Sequence, residues 1–227
     1  MVLVFDYDGT LHDTSRLYGS AFRRAYAELV KDGYAPEHYY SDSDMAKYLG
    51  LSPPAMWNAF MPELPEEVWR KASLNVREGM ISGIKAGEAV LYPGVADMLE
   101  ELKGRGYSMV ILSNCYHDYL EAHRKYFGLD RWFCGYFCSE DWNFEPKEII
   151  LQGIMREYQD AGYIVIGDRD SDFRAGLENN VPVVGCAYGF GTEEELKMCD
   201  ALANTPGDIP EIIYNWRDLI YNLILNP

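Results

Sequence analysis

The sequence VLVFDYDGTLHDT, residues 2–14, joins an apolar run to two aspartates that stand one residue apart. An apolar run that meets turn-forming residues is typical of a buried strand, predicted here over Val2–Tyr7. Alternate residues of a strand point to the same side, so Asp6 and Asp8 are expected to face one site. The alternative is a solvated Asp-Gly turn without chemistry, and this stretch alone does not decide between them.

Four further segments have the composition of strands, and helical patterns stand between them. The five predicted strands are Val2–Tyr7, Ser108–Ser113, Phe133–Cys138, Tyr163–Gly167 and Pro182–Cys186. Strands that alternate with helices predict an α/β protein with a Rossmann-like parallel sheet. Three of these strands end directly in small or polar residues, and open α/β sheets bind ligands at the carboxyl ends of their strands.

Residues 16–90 interrupt this alternation with one helical pattern after another. Within Arg16–Lys31 the residues Tyr18, Phe22, Ala25 and Leu29 fall on one face at helical spacing. Ser41 and Pro53 are further helix-start signals, and LYPGV at residues 91–95 ends the helical region. We therefore predict an all-helical domain at 16–90 inserted into an α/β core formed by residues 1–15 and 91–227.

Composition limits the classes of partner. The 227 residues are 48% hydrophobic and carry a formal net charge of −16, which predicts a globular protein that binds neither nucleic acid nor anionic membrane. No apolar run approaches the length needed to cross a bilayer, and we see no leader-like segment. The five cysteines form no CxxC pair, so we expect a cytoplasmic protein. A small anionic substrate would need local positive charge from a metal ion, a lysine or helix N-termini.

Four polar clusters are candidates for such a site. They are Asp6 with Asp8, Ser113 with Asn114, Lys147, and Asp168 with Asp172. Taken singly, each has an ordinary explanation as a helix cap, a surface lysine or a solvated acidic turn. Taken together they predict a Mg²⁺ site for phosphate chemistry, because clustered carboxylates repel unless a cation joins them and Mg²⁺ prefers oxygen ligands.

These clusters resemble the four motifs of the haloacid dehalogenase-like hydrolase superfamily, in order and in separation. FDYDGTL at residues 5–11, LSN at 112–114, Lys147 and GDRDSD at 167–172 carry the resemblance. The helical insert resembles a cap of the first type, and the segment after Cys186 looks most like phosphoglycolate phosphatases and their pyrophosphatase relatives. The resemblance implies a Mg²⁺-dependent phosphatase that acts on a small phosphorylated metabolite.

The resemblance also implies a role for each matching residue. Asp6 is the expected nucleophile and a metal ligand, and Asp8 the expected general acid and base and a ligand through its carbonyl. The remaining expected contacts are phosphate binding by Gly9, Thr10, Ser113, Asn114 and Lys147, and metal binding by Asp168 and Asp172. One departure from the family pattern is that Pro146 precedes Lys147, whereas in close relatives a proline usually follows the lysine.

Other points stay open at the level of sequence. Arg16 is a possible substrate contact because it lies near the first motif, Arg23 is a weaker candidate, and a lone loop histidine, His12, is weak evidence. Glycolate phosphate, a sugar phosphate, a nucleotide and pyrophosphate all remain candidate substrates. The alternative functions are a phosphomutase of the β-phosphoglucomutase kind and a non-catalytic binding protein. The oligomeric state is unknown.

Overall fold

The computed structural model describes residues 1–159 and 162–216. Its strands are β1 (Val2–Phe5), β2 (Ser108–Ser113), β3 (Gly135–Cys138), β4 (Tyr163–Gly167), β5 (Val183–Cys186) and β6 (Ala201–Ala203). In this part of the chain they form one parallel sheet in the order β3-β2-β1-β4-β5-β6. The first strand is therefore central, with Val4 opposite Val110 of β2 and Val165 of β4.

Helices cover both faces of this sheet. They are α1 (Ser15–Lys31), α2 (Asp42–Ala46), α3 (Pro53–Phe60), α4 (Glu66–Lys85), α5 (Val95–Gly104), α6 (His117–Phe127), α7 (Lys147–Tyr158), α8 (Asp170–Glu178) and α9 (Glu193–Leu196). Residues 209–216 are also helical. Leu3 and Phe5 join one buried cluster with α5 and α6, while Val2 and Val4 join another with α7 and α8. Burial on both faces explains why β1 is uniformly apolar instead of alternating.

The predicted fold class is confirmed, and all five predicted strands are present, two with the predicted bounds and three shorter at one end. The first ends at Phe5 because the chain then turns, with the N–H groups of Leu11 and His12 both donating to the carbonyl of Tyr7. The sixth strand, Ala201–Ala203, was not predicted. Its three residues lie between polar neighbours and offer no run long enough to give a strand signal.

The insert after β1 consists of α1 to α4, and α1 and α4 pack along each other. The helix predicted over Arg16–Lys31 starts one residue earlier, at Ser15. Ser41 caps α2 through its side chain, and Pro53 is the first residue of α3, as predicted. Aromatic side chains fill the interior of the insert, with Phe22 in ring contact with Trp57 and Phe60.

Two adjacent segments connect the insert to the sheet. The N–H of Tyr92 donates to the carbonyl of Leu11 at 2.9 Å, and the N–H of Asp13 donates to that of Val90 at 3.0 Å. The predicted division at 15/16 and 90/91 falls close to this double connection and stays a prediction. In the described ranges, no helix combines the length and apolarity that crossing a membrane requires.

The insert also contacts the carboxyl edge of the sheet through a loop between α2 and α3. The carbonyl of Gly50 accepts a hydrogen bond from the Asn114 side chain at 3.0 Å. The guanidinium of Arg169 donates to the carbonyl of Leu49. This loop therefore lies over the edge where the predicted polar clusters converge.

Candidate active site

Lys147 lies at the centre of the polar groups that gather at this edge. It is the first residue of α7 and is buried, with its side chain 1% exposed. Its Nζ donates to Oδ1 of Asp6 at 2.6 Å and to Oδ1 of Asp172 at 2.7 Å. The end of β1, the start of α7 and the first turn of α8 are thereby joined by one ammonium group.

Asp6, Asp168 and Asp172 form a buried acidic trio. Each contributes a carboxylate oxygen, and these oxygens lie within 4.8 Å of one another. Burial raises the pKa of Asp6 well above its ordinary value, and the charge of Asp172 adds to this effect. Burial, with the charge of Asp172, also raises the pKa of Asp168 to about 7. Burial alone would lower the pKa of Lys147, but Asp172 and Asp6 outweigh it and raise that pKa.

A single lysine does not balance the charge of three buried carboxylates. The pKa values of Asp6 and Asp168 are raised by burial and by the charge of Asp172, which shows that the site lacks positive charge. The trio offers only hard oxygen donors. Such a donor set suits Mg²⁺, which binds carboxylate oxygens and retains waters and substrate phosphate oxygens. The residues present therefore fit the metal that the sequence predicts.

Two loops hold Asp168 at the floor of the site. Its carboxylate accepts hydrogen bonds from Thr10 Oγ1 at 3.1 Å and from the N–H of Phe190 at 2.7 Å. A Cβ added at Gly9 would lie 2.3 Å from Asp168 Oδ2, and one at Gly189 would lie 2.4 Å from its Cβ. Gly9 also has a φ of +91°, which disfavours other residues. Both glycines are needed for the backbone to approach the carboxylate this closely.

Asp8 has neighbours that differ from those of the trio. Its Oδ1 accepts hydrogen bonds from Thr14 at 2.5 Å and from the Tyr119 hydroxyl at 2.8 Å, and lies 2.9 Å from His12 Nδ1. Burial would raise the pKa of Asp8, but the hydrogen bonds and charge of its neighbours outweigh it and lower that pKa. The two aspartates of the first motif thus have pKa values displaced in opposite directions.

A histidine pair lies behind Asp8. The rings of His12 and His123 are 4.3 Å apart between centroids, and both side chains are fully buried. Burial lowers the pKa of His123 to about 3, so its imidazole is neutral at ordinary pH. Packing against His123 and Tyr7 fixes the His12 ring that contacts Asp8.

A cleft opens above these groups and encloses about 700 Å³ including its mouth. Asp6, Asp8, Ser113 and Asn114 line its core side. The insert contributes the opposite wall from α1, α3, α4 and the 48–51 loop. The wall is mostly aromatic and aliphatic, so the carboxylates face a space partly screened from water.

The structure brings most of the predicted site residues together, with three exceptions. The N–H of Gly9 donates to the carbonyl of His12 at 2.9 Å, so this geometry does not offer it to a phosphate. Arg16 lies outside the cleft, with its side chain 61% exposed and paired to Asp13 at 3.1 Å. Arg23 pairs with Asp42 at 2.6 Å instead of reaching the site.

Sequence reasoning missed the groups that hold Asp8 and the arginine that does line the cleft. His12 and Thr14 follow Asp8 at spacings of four and six residues, a signal too common in loops to single out. Tyr119 comes from α6, the helix that follows the Ser113-Asn114 cluster, and Arg77 comes from α4. Their convergence depends on how the insert and α6 pack, which no local pattern encodes.

Comparison with known proteins agrees with this geometry. The family model described as haloacid dehalogenase-like hydrolase matches residues 3–186. The chain is 25% identical to a 5′-nucleotidase of Pseudomonas aeruginosa over 201 residues, 86% of each chain. It is also 25% identical to a phosphoglycolate phosphatase of Synechococcus elongatus over 221 residues, 93% of this chain and 96% of the relative.

Solved structures show the same fold. A crystal structure described as a predicted phosphatase from Clostridium acetobutylicum superposes with a TM-score of 0.83 at 24% identity. The match covers 94% of this chain and 98% of that one. At this identity the likeness establishes the architecture and leaves the substrate to be argued from the site.

Proposed function

The chain belongs to the haloacid dehalogenase-like hydrolase family, and on that premise we propose that it is a Mg²⁺-dependent phosphatase of small phosphomonoesters. The proposal rests on one observation above others. A buried acidic trio bridged by Lys147 stands beside a second aspartate, Asp8, whose environment is different. A carboxylate that attacks phosphorus and a second carboxyl group that transfers the proton are the two parts that an aspartyl-phosphate mechanism requires.

In this proposal Asp6, Asp168 and Asp172 hold the metal ion, with the carbonyl of Asp8 as a further ligand implied by the family resemblance. When bound, Mg²⁺ supplies positive charge that offsets the trio and the phosphoryl oxygens. Lys147 contributes a fixed positive charge beside Asp6 throughout. Ser113 and Asn114, which line the cleft at the end of β2, bind the phosphoryl oxygens.

The reaction then proceeds in two steps. An oxygen of Asp6 forms a bond to phosphorus while the bond from phosphorus to the leaving oxygen breaks, and Asp8 gives that oxygen a proton. Asp8 next accepts a proton from a water molecule whose oxygen attacks the phosphorus, which frees Asp6 and releases inorganic phosphate. Hydrogen bonds from Thr14 and Tyr119 keep the Asp8 carboxyl oriented through both steps.

The helical insert is the cap in this proposal, with residues 16–90 closing over the site and residues 1–15 and 91–227 forming the core. The loop between α2 and α3 contacts Asn114 and Arg169 of the core. Closure excludes water from the reacting groups and so favours transfer through Asp6 over side reactions. We place the enzyme in the cytoplasm, acting on a phosphorylated metabolite.

The test is hydrolysis of p-nitrophenyl phosphate by wild type and Asp6→Asn, each with Mg²⁺ and with EDTA. We expect activity only in wild type with Mg²⁺, and a loss of at least about 10³-fold in Asp6→Asn. Asp97→Asn, an exposed aspartate of α5, serves as the matched control and should retain full activity. Retained activity in Asp6→Asn would overturn the mechanism.

A wild type that is inactive toward this ester is tested by a second measurement. Acetyl phosphate with Mg²⁺ should then phosphorylate Asp6, detected as a hydroxylamine-sensitive adduct that Asp6→Asn lacks. Absence of the adduct as well as of turnover would reject phosphoryl transfer for this chain.

A further inference from the structure

The cleft above Asp6 and Asp8 is lined by tyrosine rings and by aliphatic side chains. Tyr18 of α1, Tyr48 beside α2, and Tyr116 and Tyr119 of the core line it, with Met56 of α3 among the aliphatic residues. Apart from Asp6 and Asp8, Arg77 of α4 is the charged residue in the lining that the structure describes. A leaving group bound there meets rings and methylenes far more than polar groups.

Two hydrogen-bond donors in this wall lack partners. Arg77 Nε and the Tyr18 hydroxyl are buried and form no hydrogen bond with any described residue. The carboxylate of Asp118 lies 3.5 Å from Arg77 Nε, at the limit of hydrogen-bond distance, and is half exposed. Buried donors without acceptors are unfavourable, so these two groups indicate where a ligand would place acceptor atoms.

The guanidinium of Arg77 is also held in place beside a ring. Its Cζ lies 5.2 Å from the centroid of Tyr116. Tyr116 is in turn fixed by its hydroxyl, which donates to Ser73 Oγ at 3.0 Å, and by an edge contact with Phe144. A flat donor group and several rings are therefore arranged around the cleft before any ligand enters.

These features select among phosphomonoesters. A small polar leaving group such as glycolate offers no ring to stack on the tyrosines that line the cleft. A flat heterocycle with acceptor atoms on its edge stacks on tyrosine and accepts hydrogen bonds from arginine, as nucleobases do. We infer that, if the chain is the phosphatase proposed above, its substrate is a nucleoside monophosphate whose base lies in this cleft against Arg77.

The test compares guanosine 5′-monophosphate with ribose 5-phosphate, which presents the same phosphate and sugar without the base. We expect wild type with Mg²⁺ to show a kcat/KM ratio of nucleotide to sugar phosphate of about ten- to a hundredfold, the range that one stacked base supplies. Arg77→Met keeps the apolar stem and removes the guanidinium. It should lower this ratio at least about tenfold, mainly through KM for the nucleotide.

Arg70→Met is the matched control, because Arg70 lies on the same helix, pairs with Glu66 and is 56% exposed outside the cleft. Its ratio should equal that of wild type. The inference is overturned if wild type prefers ribose 5-phosphate or phosphoglycolate, or if Arg77→Met leaves the ratio unchanged. Either result leaves the phosphatase proposal standing, whereas failure of that proposal appears as no turnover of any ester and no labelling of Asp6.

Discussion

Replacing Lys147 by methionine removes the cation that lies between two buried carboxylates. The Lys147 Nζ is 2.6 Å from Asp6 and 2.7 Å from Asp172, and all three side chains are at most 4% exposed. Breaking a buried ion pair by removing one partner costs about 3–5 kcal/mol, because the remaining charge is left uncompensated. Methionine has similar length and no branch, so packing loss adds little. We expect Lys147→Met to lose about 3–5 kcal/mol of unfolding free energy in EDTA near pH 7.5.

Urea denaturation followed by circular dichroism measures this loss. With a urea dependence of about 2–3 kcal/mol per M, the midpoint should fall by about 1–2.5 M. Lys197→Met is the matched control, because Lys197 is 67% exposed and pairs with Glu194 on the surface. Its unfolding free energy should change by no more than about 0.5 kcal/mol, the value of a typical exposed pair.

The same denaturation is repeated with saturating Mg²⁺. A ligand at a hundred times its dissociation constant stabilises the folded state by about 2.7 kcal/mol, so saturating Mg²⁺ should raise the unfolding free energy of Lys147→Met by about that amount above its value in EDTA. Two results would refute the reasoning. One is a variant within about 1 kcal/mol of wild type in EDTA, and the other is an unfolding free energy of Lys147→Met that saturating Mg²⁺ does not raise.

Two further predictions concern Asp168. Burial raises its pKa to about 7, above an unfolded value of about 3.9, so the folded protein holds an extra proton between those pH values. The urea midpoint in EDTA should therefore fall as the pH rises from 5 to 7.5. The midpoint of Asp168→Asn should depend less on pH over this range. A wild-type midpoint that rises with pH, with the same slope in Asp168→Asn, contradicts the prediction. Gly9→Ala should lower Mg²⁺ affinity and kcat at least about tenfold, because its Cβ would meet the Asp168 carboxylate at 2.3 Å. Gly106→Ala has a similar φ of +82° with open space around its Cβ, so magnesium titrations of both variants should separate the clash from backbone strain.

The sequence predicts the α/β core well because its determinants are local. A few neighbouring residues are enough to recognise each of these features: the apolar run of β1, the polar residues at the strand ends, and the helix starts at Ser41 and Pro53. The three carboxylates of the trio were predicted from the same feature, since the carboxyl ends of parallel strands share one edge. Lys147 was one of the four polar clusters, and the resemblance gave it a phosphate-binding role that stays a prediction; its Nζ lies 2.6 Å from Asp6 and 2.7 Å from Asp172.

The substrate wall was not predictable in this way. Arg16 was favoured over other arginines because it is near the first motif in sequence, yet it pairs with Asp13 at the surface. Arg77 lies 69 residues after Asp8 and 36 residues before Ser113 in the chain, and it reaches the cleft through the packing of α4. The hydrogen bond from Tyr119 to Asp8 likewise depends on tertiary packing. Proximity in sequence was a poor guide wherever a side chain came from the insert.

The central place of β1 has a consequence for how the chain folds during synthesis. Val2 pairs with Ser108 and with Tyr163, so neither partner strand exists until the insert has been made. Pairings so distant in sequence make folding slow, and an apolar strand waiting for its partners is prone to aggregate. The segment that carries Asp6 is thus made first and paired late, so its apolar strand stays without its two neighbours until β4 emerges. A truncated product ending before residue 163 would expose one side of β1 and have neither a complete sheet nor the trio.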